Sequence, residues 1–111
     1  MDDNKVYINI DGALSRLRGN EAVYKTLLRS YAARNDFKQL NADIAGGNTE
    51  AAAKTIHTIK GTAGNLSLDE VYKQAVHAED LIKNGFACED SVAGLLEAHE
   101  ETLNRIDLYL R

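Results

Sequence analysis

Residues 54–66 read KTIHTIKGTAGNL. One histidine, His57, stands between two lysines, Lys54 and Lys60, each three residues away, and Gly61 and Gly64 follow. An unprotonated imidazole nitrogen is a competent nucleophile near neutral pH. It can take a phosphoryl group as a reactive N–P species, and a neighbouring ammonium can balance the anion. The glycines pose a question of their own. Inside a helix each costs about 1 kcal/mol relative to Ala, so something at this site must offset them.

A helical wheel separates the chemistry from the core. With His57 at zero, Lys54 falls at about +60°, Lys60 at −60°, Gly61 at +40° and Gly64 at −20°. The apolar residues Ile56, Ile59 and Ala63 lie at about −100° to −160°. His57 is thus expected to face away from the core with bare backbone beside it. That suits a histidine approached by something large, such as another protein. Lys54 has a second reading as a solvated helix charge, and Gly64 as a frayed helix end with Asn65.

The next helix supplies a partner. The turn falls near residues 66–67, so residues 76–79 should stand level with His57. Glu79 lies near the apolar seam of that helix, whereas His77 points to water. A carboxylate near a seam needs a hydrogen-bonding partner. His57 is at the right height; the alternatives are solvent or Lys83, four residues on. One imidazole N–H given to Glu79 would fix the tautomer and leave the other nitrogen unprotonated and outward. His99 falls on an apolar seam and reads as a satisfied core histidine.

The elements that must hold these residues are helices. Asp11 is expected to cap a brief helix over 12–17. Asn20 should cap a long helix through Ala45, whose apolar groups, Val23 to Tyr31 and Phe37 to Ile44, do not share one face. Asn35-Asp36 is the place for a bend if there is one. Gly46-Gly47 stops this helix and Asn48 begins the next, with the seam Ala52, Ile56, Ile59, Ala63, Leu66. SLDE at 67–70 reads as a capping box opening a helix with the seam Leu68, Val71, Ala75, Ala78, Ile82. A last helix, from near Glu89 to Leu110, shows Val92, Leu96, His99, Leu103, Ile106, Leu110. Residues 2–11 read as extended or irregular. The expectation is one all-α domain over 1–111: an antiparallel up-down-up-down four-helix bundle, a short N-terminal helix covering one end.

Composition narrows the function. The 111 residues carry a net charge of −4, and residues 85–111 alone sum to −4. No basic patch of the size a nucleic-acid binder needs is visible. There is no proline, which an all-helical chain tolerates easily. The single cysteine, Cys88, fits a reducing cytoplasm. No apolar run approaches the ~20 residues needed to span a membrane, and no leader is visible. GxxxxGK[ST] and GxGxxG are both missing, so a phosphoryl group must come from, and go to, other proteins.

IHTIKGTAGNL resembles the signature of histidine-containing phosphotransfer (HPt) domains, broadly HxxKGxAxxxG, and His57, Lys60, Gly61 and Ala63 match it by position. The resemblance extends through the GALSRLRGNEAVYKTLL opening and the hairpin ending at AVHAED. It implies a four-helix bundle that exchanges phosphoryl groups with a receiver-domain aspartate in a multistep phosphorelay. His57 would be the phosphoacceptor, Lys60 would stabilise the phosphoryl group, Gly61 would leave room for the partner, and Glu79 would orient His57. The implied partners are a response-regulator receiver and/or a hybrid sensor histidine kinase. No cofactor is expected in this chain, with Mg on the receiver, and a monomer is expected. Ser67 departs from the family, which commonly has glycine there.

Three other readings compete. A non-catalytic docking bundle would leave His57 unused. A di-iron bundle enzyme needs Glu-x-x-His pairs, but Lys54, Gln74 and Leu96 precede the three histidines. A helix-turn-helix at 49–72 lacks a basic recognition helix.

Overall fold

A computed structural model describes residues 5–111. Residues 1–4, part of the segment read as extended or irregular, lie outside the described residues. Among the described residues there are six helices and no strand: α1 (Ile10–Arg16), α2 (Glu21–Ala32), α3 (Asp36–Ala45), α4 (Thr49–Leu66), α5 (Asp69–Lys83) and α6 (Glu89–Leu110). The chain is all-helical, as its periodicity required. Among the described residues, no helix is long and apolar enough to cross a membrane.

Two caps are where the sequence put them. The Asn20 side chain accepts from the Val23 N–H and that of Asn48 from the Ala51 N–H, each satisfying an end donor. The cap of α1 is not. Asn9, not Asp11, accepts from the Gly12 N–H at 3.0 Å, and the helix starts at Ile10.

The long helix over 20–45 is two helices. The chain leaves α2 at Ala33 and re-enters α3 after Asn35. The reason lies in the two apolar groups. One straight helix cannot aim Tyr24, Leu28 and Tyr31 and also Phe37 and Leu40 at the same core. The break re-aims the second group, and all five are buried.

The capping box at SLDE does not form. Ser67 is the C-cap of α4, in the left-handed region at φ 56°, and Leu68 precedes α5 without a side-chain cap bond. Ser67 and Glu70 are both buried: the serine hydroxyl accepts from Arg16, and Glu70 accepts from Gln74 at 2.8 Å. A left-handed C-cap is where glycine is favoured, and it is the position at which the resemblance leads one to expect glycine.

The core runs along the seams of α4 and α5. Ala52, Ile56, Ile59 and Ala63 face Leu68, Val71, Ala75 and Ala78, all essentially inaccessible to solvent. In sequence order α3 packs on α4, α4 on α5 and α5 on α6, while α2 touches α4 and α6. The stripe of α6 is rotated from the expected one. Val92, Leu95, Ala98, Thr102 and Ile106 are buried, whereas Leu96, Leu103 and Leu110 are half-buried at its edge. Thr102 can be buried because its hydroxyl donates to the Ala98 carbonyl at 2.7 Å.

α1 lies at the α4–α5 turn. The Asn9 N–H donates to the Ser67 carbonyl at 2.9 Å, and Arg16 donates to the Gly64 carbonyl at 2.6 Å. Tyr24 of α2 donates its hydroxyl to the Leu66 carbonyl at 2.7 Å. Burial raises the pKa of that phenol to about 12, so it remains a donor. Three side-chain and backbone groups from other elements thus satisfy carbonyls that the end of α4 leaves open.

Candidate functional site

Packing sets the rotation of α4. Once Ile56, Ile59 and Ala63 are buried, His57 must point out, and its side chain is 66% exposed. On α5, burial of Val71, Ala75 and Ala78 carries Glu79 to the edge of the helix interface, where its side chain is only 6% exposed. Nδ1 of His57 lies 2.8 Å from Oε2 of Glu79. The contact expected from the register of the two helices is therefore present.

Glu79 holds two further cations. Lys60 Nζ is 2.6 Å from Oε1, and Lys83 Nζ is 3.2 Å from Oε2. Burial pushes the Glu79 pKa up, but the bonds from Lys60, His57 and Lys83 outweigh it and bring the carboxyl down to about 2. The same contact raises the pKa of Lys60. An ionised carboxylate has no proton to give. In the neutral imidazole of His57, Nδ1 must then carry the hydrogen, and the lone pair is on Nε2. Among the described residues nothing hydrogen-bonds Nε2.

The sequence offered Lys83 and His57 as alternative partners of Glu79. Oε2 takes both. Lys83 therefore belongs to the site, although from sequence it enters only as an alternative to His57, and its i+4 spacing from Glu79 is its signal. Lys54 is 79% exposed and, among the described residues, its ion pair is a 3.7 Å contact to Glu50, the geometry of a solvated helix charge. It does border the open depression of about 470 Å³ beside His57, together with Ala53, Thr58, Glu79 and Lys83.

The two glycines differ. A Cβ on Gly61 would meet nothing within 4 Å. The bundle itself does not require glycine there. A Cβ on Gly64 would stand 3.3 Å from two atoms of the Tyr72 ring. Gly64 lets Tyr72 of α5 lie close against α4, a packing reason that wheel geometry within one helix cannot reveal.

The other histidines lie outside this constellation. His77 is exposed. His99 stacks on Phe37 with ring centroids 3.7 Å apart, and its Nδ1 is 2.6 Å from the Tyr31 hydroxyl. Burial lowers its pKa to about 4, so it is neutral in the core at ordinary pH.

No curated protein and no solved structure matches the chain. The family model of the Hpt domain matches residues 31–110, a segment that runs from the end of α2 through α6 and includes His57, Lys60, Glu79 and Lys83. An outward histidine on one helix, tied through Nδ1 to a carboxylate on the next, sits within that match. The chain belongs to the Hpt domain family, the phosphotransfer modules of two-component signalling.

Proposed function

We propose that His57 is the phosphoacceptor of a multistep phosphorelay, taking a phosphoryl group from one receiver-domain aspartate and passing it to another. The observation that carries this is the 2.8 Å contact from Nδ1 of His57 to Glu79, which assigns the lone pair to the exposed Nε2. In the transfer, Nε2 attacks phosphorus and a P–N bond forms. The P–O bond to the aspartate breaks, and its electron pair returns to the carboxylate. Nδ1 keeps its hydrogen, so the ring becomes a phosphorylated imidazolium. Glu79, ionised and buried beside it, stabilises the new positive charge. Reversal donates the group onward.

In this reading Lys60 adds a positive charge that stabilises the phosphoryl group while it remains paired with Glu79, and Gly61 leaves the approach to His57 open for the partner. The chain's own residues supply nucleophile and charge; the receiver supplies the aspartate and a bound Mg ion. A response regulator or a hybrid sensor kinase carries such a receiver. The packing order supports an antiparallel four-helix bundle in which α2 and α3 together take one helix's place. In this reading the chain acts as a cytoplasmic monomer.

The test mixes the full chain with phosphorylated receivers of the source organism. The expected product is an acid-labile, base-stable phosphate on His57 that His57→Gln abolishes. Equal labelling of wild type and variant sinks the reading. Partner binding without phosphohistidine from any receiver would favour a docking module instead.

A further inference from the structure

We propose that Lys83 is the ammonium that leaves Glu79 for the phosphoryl group when His57 is phosphorylated, an inference that rests on His57 being the acceptor. Three observations carry it. Lys83 shares with His57 the same oxygen, Oε2 of Glu79, at 3.2 Å and 2.8 Å respectively. Its ammonium is therefore within about 6 Å of Nδ1. Lys83 also borders the depression beside His57, and Lys60 does not.

The third observation is how firmly each lysine is held. Lys60 lies 2.6 Å from Oε1 with a side chain only 27% exposed. Lys83 makes a longer contact and is 59% exposed, so its release costs less desolvated contact. Lys54, the remaining cation at the depression, points into solvent.

Charge balance gives the exchange its direction. Before transfer, one carboxylate serves two ammonium groups, and with a neutral imidazole the site carries an excess of one positive charge. Transfer adds a dianionic phosphoryl group and one positive charge on the ring. If Lys83 moves to the phosphoryl oxygens, Oε2 is left wholly to the new imidazolium. Lys60 stays on Oε1, and Glu79 keeps two partners. Each new charge then faces an opposite one, whereas the original pairing, with both lysines on Glu79, leaves the phosphoryl oxygens without a directly bonded cation.

Chemical phosphorylation separates this from the search for a partner. Phosphoramidate donates its phosphoryl group directly to Nε2, its own P–N bond breaking as ammonia leaves. The phosphoryl oxygens of the full chain are then titrated by ³¹P NMR between about pH 5 and 8. A cation against the phosphoryl group lowers its second pKa. In Lys83→Met that titration should rise by roughly 0.5–1 pH unit relative to wild type. Lys83→Arg should restore it, Lys60→Met should move it less, and the thermal midpoint of Lys83→Met should stay near that of wild type. An unchanged titration in Lys83→Met, or a larger change in Lys60→Met, overturns the role of Lys83 while leaving His57 as acceptor. Failure of wild-type His57 to take phosphate, with His57→Gln indistinguishable from it, overturns both readings together.

Discussion

Nδ1 of His57 and Oε2 of Glu79 lie 2.8 Å apart across the α4–α5 interface, one side chain two-thirds exposed and the other nearly inaccessible. The pairing joins a reactive group in water to an anchor out of it. Because the anchor is buried and held by Lys60 and Lys83 as well, it cannot swing away, and the imidazole inherits its position.

Glu79→Gln keeps an oxygen that can accept from Nδ1 but removes the charge opposite the imidazolium. Phosphotransfer should slow by about 10-fold or more, the scale of losing one preorganised charge contact. Stopped-flow or quench measurement of phosphoryl loss from a receiver checks this. Transfer at the wild-type rate would mean that hydrogen-bond direction alone suffices.

The acid limb of stability should carry Glu79's mark. Its folded pKa, about 2, lies below the ordinary 4.5. The unfolded chain therefore takes up the proton first as pH falls. The stabilisation is fully present above pH 4.5 and is lost as pH falls toward 2. The stability difference between wild type and Glu79→Gln, followed by urea unfolding, should shrink across that window and be constant above it.

His99 acts at milder pH. Burial lowers its folded pKa to about 4 from 6.5. As pH falls from 6.5 to 4 the unfolded state binds a proton that the folded state refuses, so stability decreases over that range. His99→Phe should remove this slope. It should also cost about 1–2 kcal/mol at pH 8, because the Tyr31 hydroxyl, now 2.6 Å from Nδ1, loses its partner. A slope retained in the variant would place its origin elsewhere.

The two site glycines should part company. Gly61→Ala meets open space and gains about 1 kcal/mol of helix propensity, a rise of about 4–8 °C in thermal midpoint, while slowing transfer to a receiver. Gly64→Ala sets its Cβ 3.3 Å from the Tyr72 ring, so crowding offsets the same gain and the midpoint should barely move. Calorimetry on both variants distinguishes the cases.

Ser67 holds φ 56° and accepts from Arg16. Ser67→Ala loses the bond and keeps the left-handed strain; Ser67→Gly loses the bond and relieves the strain. The glycine variant should be the more stable by about 1 kcal/mol. Equal stabilities in urea unfolding would show that the αL conformation is not the controlling feature.

Local pattern alone determined a good deal of this protein. The 4-3-4-3 seam from Ala52 to Leu66 dictates which way α4 faces, and that rotation puts His57 outward whatever it packs against. The same periodicity on α5, with a turn near 66–67, was enough to bring Glu79 level with His57, because short turns force antiparallel neighbours. Asn20 and Asn48 signal their helices because a cap bond spans only three residues. Tertiary structure decided what depends on several elements at once. Helix propensity carried residues 20–45 through, and only competition for one core breaks them at 33–35. SLDE satisfies the local capping rule, but Arg16, distant in sequence, claims Ser67 and burial claims Glu70. Tyr72 gives Gly64 its packing role. The i+4 spacing pairs Lys83 with Glu79 within α5, but that one carboxylate oxygen serves Lys83 and His57 together appears only when α4 and α5 are packed.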